Sequence, residues 1–424
     1  MLIEFRVANH RSVREEQVLT LEAGRGGDSS DRRPRVVDGH AEPLLPVAAL
    51  FGANASGKSN VLAALAFMRD AVVHSHRAWA PDGGVPREPF AWGPQAPSTF
   101  EVTWIRAAVR YQYGFVADDA RFVEEWLYAW PSGRRQVWFE RDGDDFKFGE
   151  HLRGENRVVE QVTRPNGLFL SAAVQNRHQQ LGEVFAWFRS MGAVNVRTRR
   201  YPGDQGELWL ERALRADGAR QASMFAGEPP PDEGVLAAFK DLLRASDFGI
   251  EDVKAVEGPE RDLPDRPPFR RSRILVKHRG GDGDRGWLPL DEESQGTRTM
   301  FRVGPPAIDT LRRGGLLVVD ELEASLHPLL GLHIVRLFND PSTNPRNAQL
   351  VFATHDTNLL GTLLGPPPLR RDQVWLTEKD EQGETRIYPL TDYKPRKAEN
   401  LESGYLQGRY GAIPFLGALA TLPE

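Results

Sequence analysis

A glycine-rich loop between an apolar run and a helical pattern constrains the fold of this chain more than any other feature. Residues 52–59 read Gly-Ala-Asn-Ala-Ser-Gly-Lys-Ser and match the pattern GxxxxGK(S/T) in full. The apolar residues 47–51 precede the loop, and apolar side chains recur at helical spacing in residues 60–73. In such a loop the backbone N–H groups and the positive end of the helix dipole point at phosphate oxygens. We therefore predict an α/β fold that binds a nucleotide at residues 52–59.

The side chains of this loop have separate expected roles. Lys58 is predicted to be catalytic by bridging the β and γ phosphates, and the Ser59 hydroxyl is predicted to bind Mg²⁺. The other residues expected to contact the nucleotide lie in the loop and the first helical turn: Asn54, Ala55, Ser56, Gly57 and Asn60.

Two acidic residues and a histidine follow two further apolar runs. Asp320 and Glu321 follow residues 316–319, and His355 follows residues 350–354. An Asp at the carboxyl end of a strand can hold Mg²⁺ beside the phosphate loop, and the adjacent Glu can accept a proton from the attacking water or position that water. A histidine at the same sheet edge could contact a γ phosphate. We predict Asp320 as a metal ligand and Glu321 and His355 as catalytic residues.

Composition excludes several other kinds of chemistry. The 424 residues include no cysteine, which removes disulfides, thiolate zinc sites and cysteine nucleophiles. A net charge of -5 argues against a uniformly basic surface for coating nucleic acid, although not against one local basic groove. No apolar run reaches the roughly 18 residues that a membrane span needs, and the charged start of the chain does not resemble a signal peptide. We expect a cytoplasmic protein without a membrane partner.

The pattern of strands predicts two kinds of sheet. Alternating apolar and charged residues indicate a strand at residues 2–8, and short strand-like stretches between residues 99 and 148 indicate an antiparallel sheet. From residue 274 onward, buried strands alternate with helices, which predicts a parallel sheet. The strands expected in that sheet are residues 316–319, 349–353 and 373–376.

The middle of the chain is less regular. Residues 175–189 and 234–243 show the apolar spacing of amphipathic helices. Residues 227–234 and 257–268 are rich in proline and glycine, and we expect them to form loops or a flexible boundary.

With these residues identified, the sequence resembles the ABC-type ATPases of the SMC, RecF and OLD group. The segments that carry the resemblance are residues 9–12 (Asn-His-Arg-Ser), the loop at 52–59, residues 293–297 (Glu-Ser-Gln-Gly-Thr), residues 320–328 (Asp-Glu-Leu-Glu-Ala-Ser-Leu-His-Pro) and residues 353–355 (Ala-Thr-His). Within this group the chain is similar to single-chain bacterial ATPases of the abortive-infection AbiL and PARIS phage-defence types. Residues 405–412 resemble their C-terminal motif.

The resemblance implies a P-loop NTPase fold of the ABC-ATPase head type, with a mixed or parallel sheet, an antiparallel sub-sheet and a helical insertion. It implies an enzyme that hydrolyses ATP with Mg²⁺. The head is expected in two parts, residues 1–174 and 271–424, with a helical insertion and linker at residues 175–270.

The resemblance also assigns roles to residues outside the loop. Arg11 and Ser12 are expected beside the adenine, although His10 stands where the family usually has phenylalanine. Ser294 and Gly296 are expected to face the γ phosphate bound by a partner subunit, with Ser294 among the catalytic residues; the alternative for Ser294 is an ordinary helix N-cap. Gln175 is a candidate for the glutamine that senses Mg²⁺ and water, but a surface glutamine fits the sequence equally well.

These assignments imply a homodimer or higher homo-oligomer joined through ATP. The sequence has no heptad repeat of the kind that forms the coiled-coil arm of an SMC protein, and the stretch after His355 is too short for a Toprim nuclease domain. We therefore expect a sensor or scaffold that regulates a separate effector, a nuclease or toxin, in anti-phage defence. The alternative is a RecF-like repair protein that binds DNA through basic clusters at residues 197–200 and 270–273. A chromosome or transport component fits less well.

Overall fold

The computed structural model describes residues 1–24, 30–198, 210, 214, 233–245, 249–263, 266–280, 286–396 and 399–414. Its described strands form a six-stranded core sheet, a seven-stranded antiparallel sheet and a separate three-stranded sheet. The result is an α/β fold with parallel and antiparallel parts, as the sequence predicts.

The core sheet is parallel except at one edge. In spatial order its strands are β16 (Thr385–Pro389), β15 (Val374–Lys379), β3 (Val47–Gly52), β14 (Gln349–Ala353), β13 (Leu316–Val319) and β9 (Gly192–Val194). Only β16 runs antiparallel to its neighbour. Every residue of β3, β13 and β14 is buried, which is why these strands read as continuous apolar runs. The predicted parallel strands are confirmed.

The antiparallel sheet covers one side of the molecule. Its strands, in spatial order, are β2 (Gln17–Thr20), β1 (Leu2–Ala8), β4 (Ser98–Arg106), β5 (Val109–Ala117), β6 (Phe122–Trp130), β7 (Gln136–Asp142) and β8 (Asp145–Phe148). Along β1, buried Phe5 and Val7 alternate with half-buried polar residues, which is the pattern of a sheet with one face on the core. The predicted sheet between residues 99 and 148 is confirmed.

A long helix, α1 (Lys58–Ala78), joins the two sheets. Most of its residues are buried, and the Phe67 ring lies 5.0 Å from that of Phe100 in β4, centroid to centroid. Two shorter helices, α3 (Phe169–Gln175) and α4 (Gln179–Arg189), pack beside it, and α2 (Asn156–Val162) packs against α3. The helix expected at residues 175–189 begins later, because Arg177 has a positive φ of 62° and His178 is the N-cap of α4.

The three-stranded sheet contradicts one expectation. Residues 257–268 were expected to be a loop, but their described backbone lies in a hairpin of β10 (Ile250–Leu263) and β11 (Arg266–His278), with β12 (Trp287–Pro289) alongside. Pro259 lies where the pairing shifts register between Glu257 and Glu260, and β10 is an edge strand. Proline is tolerated at bulges and edges because no ladder hydrogen bond is lost there.

The remaining described α-helices lie in the C-terminal half. The first, α5 (Glu233–Ala245), confirms the helix predicted at residues 234–243. The others are α6 (Gln295–Arg313), α7 (Pro328–Asn339) and α8 (Leu401–Leu406). Residues 227–232 lie outside the described part. Residues 175–270 carry helices, but they also contribute β9 to the core sheet and most of the hairpin. The three domain boundaries stay a prediction. Within the described ranges, no helix has the length and apolar character of a membrane span.

Candidate functional site

Three predicted motifs meet at one edge of the core sheet. The strands β3, β14 and β13 lie side by side and run parallel, so their carboxyl ends share an edge. The glycine loop follows β3, Asp320 and Glu321 follow β13, and His355 follows β14. Because carboxyl ends of parallel strands are where ligands bind in open α/β sheets, this edge is the candidate site.

The loop backbone has the conformation that its glycines allow. Gly57 has a φ of 109° and stands immediately before α1, and Ala55 also has a positive φ, of 62°. A Cβ atom at Gly57 would overlap the Thr385 side chain, and one at Gly52 would overlap the Thr377 carbonyl oxygen. The loop is therefore closely packed against β15 and β16, and glycine is required at both positions.

Lys58 lies at the end of the loop, and its ammonium group contacts the loop backbone. Its Nζ atom donates hydrogen bonds to the carbonyl oxygens of Gly52 at 2.8 Å and Ala53 at 3.0 Å. Burial lowers the pKa of Lys58 to about 8, opposed by the negative charges of nearby Asp320, Glu323 and Glu321. The group keeps most of its positive charge at neutral pH.

A hydroxyl and a carboxylate lie together where a metal ion is expected. The Ser59 hydroxyl donates to Asp320 Oδ1 at 3.1 Å. Burial raises the pKa of Asp320, and the Ser59 hydrogen bond opposes that shift. Both oxygens are hard ligands of the kind that Mg²⁺ prefers, so this pair fits the ion. Among described residues, no group of three or more His, Cys, Asp or Glu side chains is arranged to hold a metal ion.

Glu321 and His355 occupy adjoining turns. Glu321 has a positive φ of 51°, and the next residue, Leu322, donates its backbone N–H to the Ala353 carbonyl at 3.2 Å. The backbone N–H of His355 donates to the Glu323 carboxylate. Burial and the Lys58 charge lower the pKa of His355, while Glu323 and Glu321 oppose this. The imidazole is therefore largely neutral at physiological pH, with one N–H to donate.

Asn195 is a residue of this edge that the sequence reasoning missed. It follows β9, the neighbour of β13, and its Nδ2 atom donates to the Asp320 carbonyl at 3.2 Å. The Asp320 N–H in turn donates to the Val194 carbonyl at 3.0 Å. The only signal in the sequence was a polar residue after a three-residue apolar stretch, which is too short to show periodicity.

Gln175 is not brought to this edge. It is the exposed last residue of α3, and Ser171, one turn earlier, accepts a hydrogen bond from the backbone N–H of His76. His76 lies in the last turn of α1, about 27 Å along the helix from Lys58 at 1.5 Å per residue. The structure therefore places Gln175 toward the end of α1 that is remote from the loop.

Ser12 and Asn60 form a hydrogen-bonded chain that ends on the loop. Asn60 Nδ2 donates a hydrogen bond to Ser12 Oγ at 2.6 Å. The Ser12 Oγ atom also lies 2.7 Å from Thr385 Oγ1, and the Thr385 hydroxyl donates to the Ser56 carbonyl at 2.9 Å. The fully buried Thr385 was also missed, because nothing in its sequence neighbourhood marks it. Ser12 thus lies beside the loop and supports the loop backbone through Thr385, while its expected place beside the adenine stays a prediction.

The residues before Ser12 have partners within the protein. Arg11 makes a two-point ion pair with Glu88, at 3.0 and 3.1 Å, and also donates to the Arg197 carbonyl at 2.8 Å. His10 is 1% exposed and packs between Phe67 and Phe100, and burial lowers its pKa to about 3. His10 therefore belongs to the apolar core.

Ser294 is the N-cap of α6. Its Oγ accepts a hydrogen bond from the Thr297 N–H at 3.1 Å, and the Ser294 side chain is exposed. A Cβ atom at Gly296 would lie 2.8 Å from the Ser325 carbonyl oxygen, so the start of α6 packs on the turn that follows Asp320. Ser294 thus lies on the surface, and Gly296 is half-buried against the turn that follows Asp320.

Comparison with known families gives one extended match. The sequence model described as "AAA domain, putative AbiEii toxin, Type IV TA system" matches residues 47–173 and 199–361. The matched residues include the glycine loop, the acidic pair, the start of α6 and His355. No curated protein matches the chain.

Similar solved structures are heads of SMC proteins. The SMC head domain from Thermotoga maritima is 12% identical with a TM-score of 0.37, covering 92% of this chain and 98% of that one. An SMC head bound to the C-terminal winged-helix domain of ScpA is 14% identical with a TM-score of 0.43, covering 91% and 97%. An SMC head from Pyrococcus furiosus with an extended coiled coil, bound to the C-terminal domain of ScpA, is 12% identical with a TM-score of 0.39, covering 93% and 97%.

Proposed function

The chain belongs to the family of AAA domains described as a putative AbiEii toxin of a type IV TA system, and on that premise we propose that it is an ABC-type ATPase that hydrolyses ATP. The observation that carries this proposal is the meeting of Lys58, the Ser59–Asp320 pair and Glu321 at one sheet edge. These are the charges and ligands that phosphoryl transfer to water needs.

Each group has a task that its position supports. Lys58 exchanges the Gly52 and Ala53 carbonyls for phosphate oxygens, while the loop N–H groups and the start of α1 hold the remaining phosphate charge. Ser59 and Asp320 would hold Mg²⁺, which would supply charge neutralisation on the phosphates. Glu321 accepts a proton from the attacking water or orients that water, and neutral His355 donates a hydrogen bond to the terminal phosphate.

The second layer of the site keeps these groups in place. Asn195 holds the Asp320 backbone, and Asn60, Ser12 and Thr385 hold the loop at Ser56. We propose that Asn195, by its place after β9, takes the sensing role that the sequence had suggested for Gln175.

Nucleotide binding is tested by replacing the loop lysine. Lys58→Ala removes the positive charge nearest the phosphates, and we expect it to weaken ATP binding about tenfold or more in a calorimetric titration. Lys147→Ala removes an exposed charge from β8 and serves as the matched control. Equal affinities for ATP in the two variants would contradict the proposed site.

The proposal extends to assembly and regulation. Ser294 is exposed and Gly296 is half-buried beside it. We infer that both residues face the γ phosphate held by a second copy of the chain, so ATP would join two heads. In this scheme the protein acts in the cytoplasm as a sensor or scaffold of the AbiL or PARIS type, and its nucleotide state holds or releases a separate nuclease or toxin. Phage plating on cells that carry the intact locus or its Glu321→Gln form tests this role; equal protection by both forms counts against it.

The alternative of a DNA clamp has less support. Of the two basic clusters, residues 199–200 and the side chains of residues 270–272 lie outside what the structure describes. Arg197 and Arg273 are exposed, as solvated surface arginines usually are. ATP-dependent binding to duplex DNA that weakens steeply with added salt would favour this alternative, because phosphate contacts release counterions.

A further inference from the structure

Residues 321–326 form a tight turn between β13 and α7. The Ala324 N–H donates a hydrogen bond to the Glu321 carbonyl at 2.9 Å. The Leu326 N–H donates to the Glu323 carbonyl at 2.8 Å, and the Leu326 side chain is buried in the core. The turn therefore fixes the backbone at Glu323 before any contact of its side chain is considered.

The side chain of Glu323 reaches across to the neighbouring strand β14. Its Oε1 atom accepts a hydrogen bond from the backbone N–H of His355, two residues beyond the last residue of the strand. The residue between them, Thr354, still donates its N–H to the Leu50 carbonyl of β3 at 3.0 Å. A charged acceptor makes a stronger hydrogen bond than a neutral carbonyl. Glu323 thus supplies an acceptor for His355 where the strand has ended.

The other carboxylate oxygen of Glu323 has no such contact. Its Oε2 atom is buried and has no hydrogen-bond partner among the residues that the structure describes. A buried acceptor without a donor costs free energy, and native proteins keep few of them. Because this oxygen has almost no exposed surface, we do not expect Glu323 to meet the attacking water itself. A role in catalysis would have to pass through a neighbouring group.

The two glutamates of the turn differ in their surroundings. Glu321 is exposed, so water can reach its carboxylate, whereas Glu323 is half-buried and lies against the backbone of His355. Burial lowers the pKa of Lys58 and the pKa of His355, and the negative charge of Glu323 opposes both shifts. The charge of Glu323 therefore acts within the candidate site, although its carboxylate is turned away from solvent.

We propose that Glu323 is a positioning residue for ATP hydrolysis, which acts by holding the backbone of His355 at the end of β14. This inference rests on the proposed function, in which the exposed His355 imidazole donates a hydrogen bond to the terminal phosphate. Loss of the carboxylate would free the His355 backbone and move the imidazole away from that phosphate. Small errors in the position of a group that contacts the reacting phosphate cost a large part of the rate.

Steady-state kinetics of ATP hydrolysis by Glu323→Ala and Glu323→Gln test the proposal. The alanine variant offers no acceptor to His355, and we expect kcat to fall about tenfold to a hundredfold while KM stays within about twofold. The glutamine variant keeps an acceptor oxygen and should recover most of the loss. Glu150→Ala removes an exposed carboxylate after β8 and is the matched control. Equal kcat in Glu323→Ala and the control, or a glutamine variant as slow as the alanine variant, would overturn the proposal.

A double-mutant cycle shows whether Glu323 acts through His355. In a His355→Ala background the imidazole is absent, so adding Glu323→Ala should lower kcat by no more than about twofold. Losses that combine in full would overturn the proposal, because they would reveal a role of Glu323 that is independent of His355.

Hydrogen exchange separates the positioning role from the proposed function. Without nucleotide, the peptide that contains residues 353–357 should exchange faster in Glu323→Ala than in the wild-type chain, and at the wild-type rate in Glu323→Gln, when followed by mass spectrometry. Unchanged exchange in Glu323→Ala would overturn the positioning role. Absence of phosphate release by the wild-type chain would count against the proposed function alone, since exchange at His355 does not depend on hydrolysis.

Discussion

At the scale of single residues, the Lys58 ammonium group already has partners, because it donates to the carbonyls of Gly52 and Ala53. Its pKa, lowered by burial to about 8, still leaves most molecules charged at neutral pH. Phosphate oxygens offer this group negative charge in place of neutral carbonyls, and attraction between opposite charges favours the exchange. The Lys58 side chain is therefore held by its own loop, and we expect it to exchange these carbonyls for phosphate oxygens when a nucleotide binds.

Asn195 provides a residue-scale prediction. Because it holds the Asp320 backbone, Asn195→Ala should lower kcat of ATP hydrolysis about tenfold to a hundredfold with little change in KM, as losses behind a metal ligand do. Gln175→Ala, at the exposed end of α3, is the control and should leave both constants unchanged. Steady-state kinetics on the two variants decide which residue takes the sensing role. A larger loss of kcat in Gln175→Ala than in Asn195→Ala would assign that role to Gln175.

Contiguous motifs made part of this site predictable. Lys58 and Ser59 are fixed by a local pattern, and Asp320 follows an apolar run that is legible in the sequence. Asn195 and Thr385 act through contacts with residues 125 and 329 positions away along the chain, respectively. No local pattern encodes such contacts, since they depend on which strands become neighbours.

At the scale of elements, the C-terminal segment supports the turn that carries His355. Glu402 in α8 accepts a hydrogen bond from Thr357 Oγ1 at 3.1 Å, two residues after His355, and Gly361 packs directly against the same carboxylate. In the same helix, the centroid of the Tyr405 ring lies 5.9 Å from that of the Phe51 ring, and Phe51 immediately precedes the glycine loop. The helix α8 thus contacts β3, which leads into the glycine loop, and the turn that follows His355.

Loss of this contact should disturb catalysis more than binding. We expect Glu402→Ala to lower kcat about tenfold, because the His355 turn loses an anchor, while ATP affinity changes little. Glu381→Ala, in the exposed turn between β15 and β16, is the matched control. A drop in ATP affinity as large as the drop in kcat would show that Glu402 acts on the loop instead of on His355.

Elements with strong periodicity or continuous apolar character were predictable, as α1, β13 and β14 show. The hairpin of β10 and β11 was not, because its prolines indicate a loop unless the edge position and register shifts of the strands are known. The helix α4 begins at Gln179 instead of the predicted residue 175, because Arg177 has a left-handed backbone conformation. Nothing in the sequence around Arg177 predicts that conformation.

At the scale of the whole molecule, the proposed assembly through ATP would bring a second copy to the exposed start of α6. Light scattering on Glu321→Gln tests this: we expect the mass of a monomer without nucleotide and of a dimer with ATP and Mg²⁺, because slow hydrolysis preserves the joined state. Ser294→Trp should keep ATP binding but prevent the dimer by its bulk. A monomer for Glu321→Gln under both conditions would contradict assembly through ATP.

Hydrolysis itself is tested most directly by the rate of phosphate release from ATP, measured with ATP affinity for the wild-type chain and for Glu321→Gln. The amide keeps the size of the carboxylate but cannot accept a proton. The Gln variant should therefore bind ATP within about twofold of wild type and release phosphate about a hundredfold or more slowly. Phosphate release at the wild-type rate in Glu321→Gln, or none by the wild-type chain, would contradict the assignment of this edge as an ATPase site.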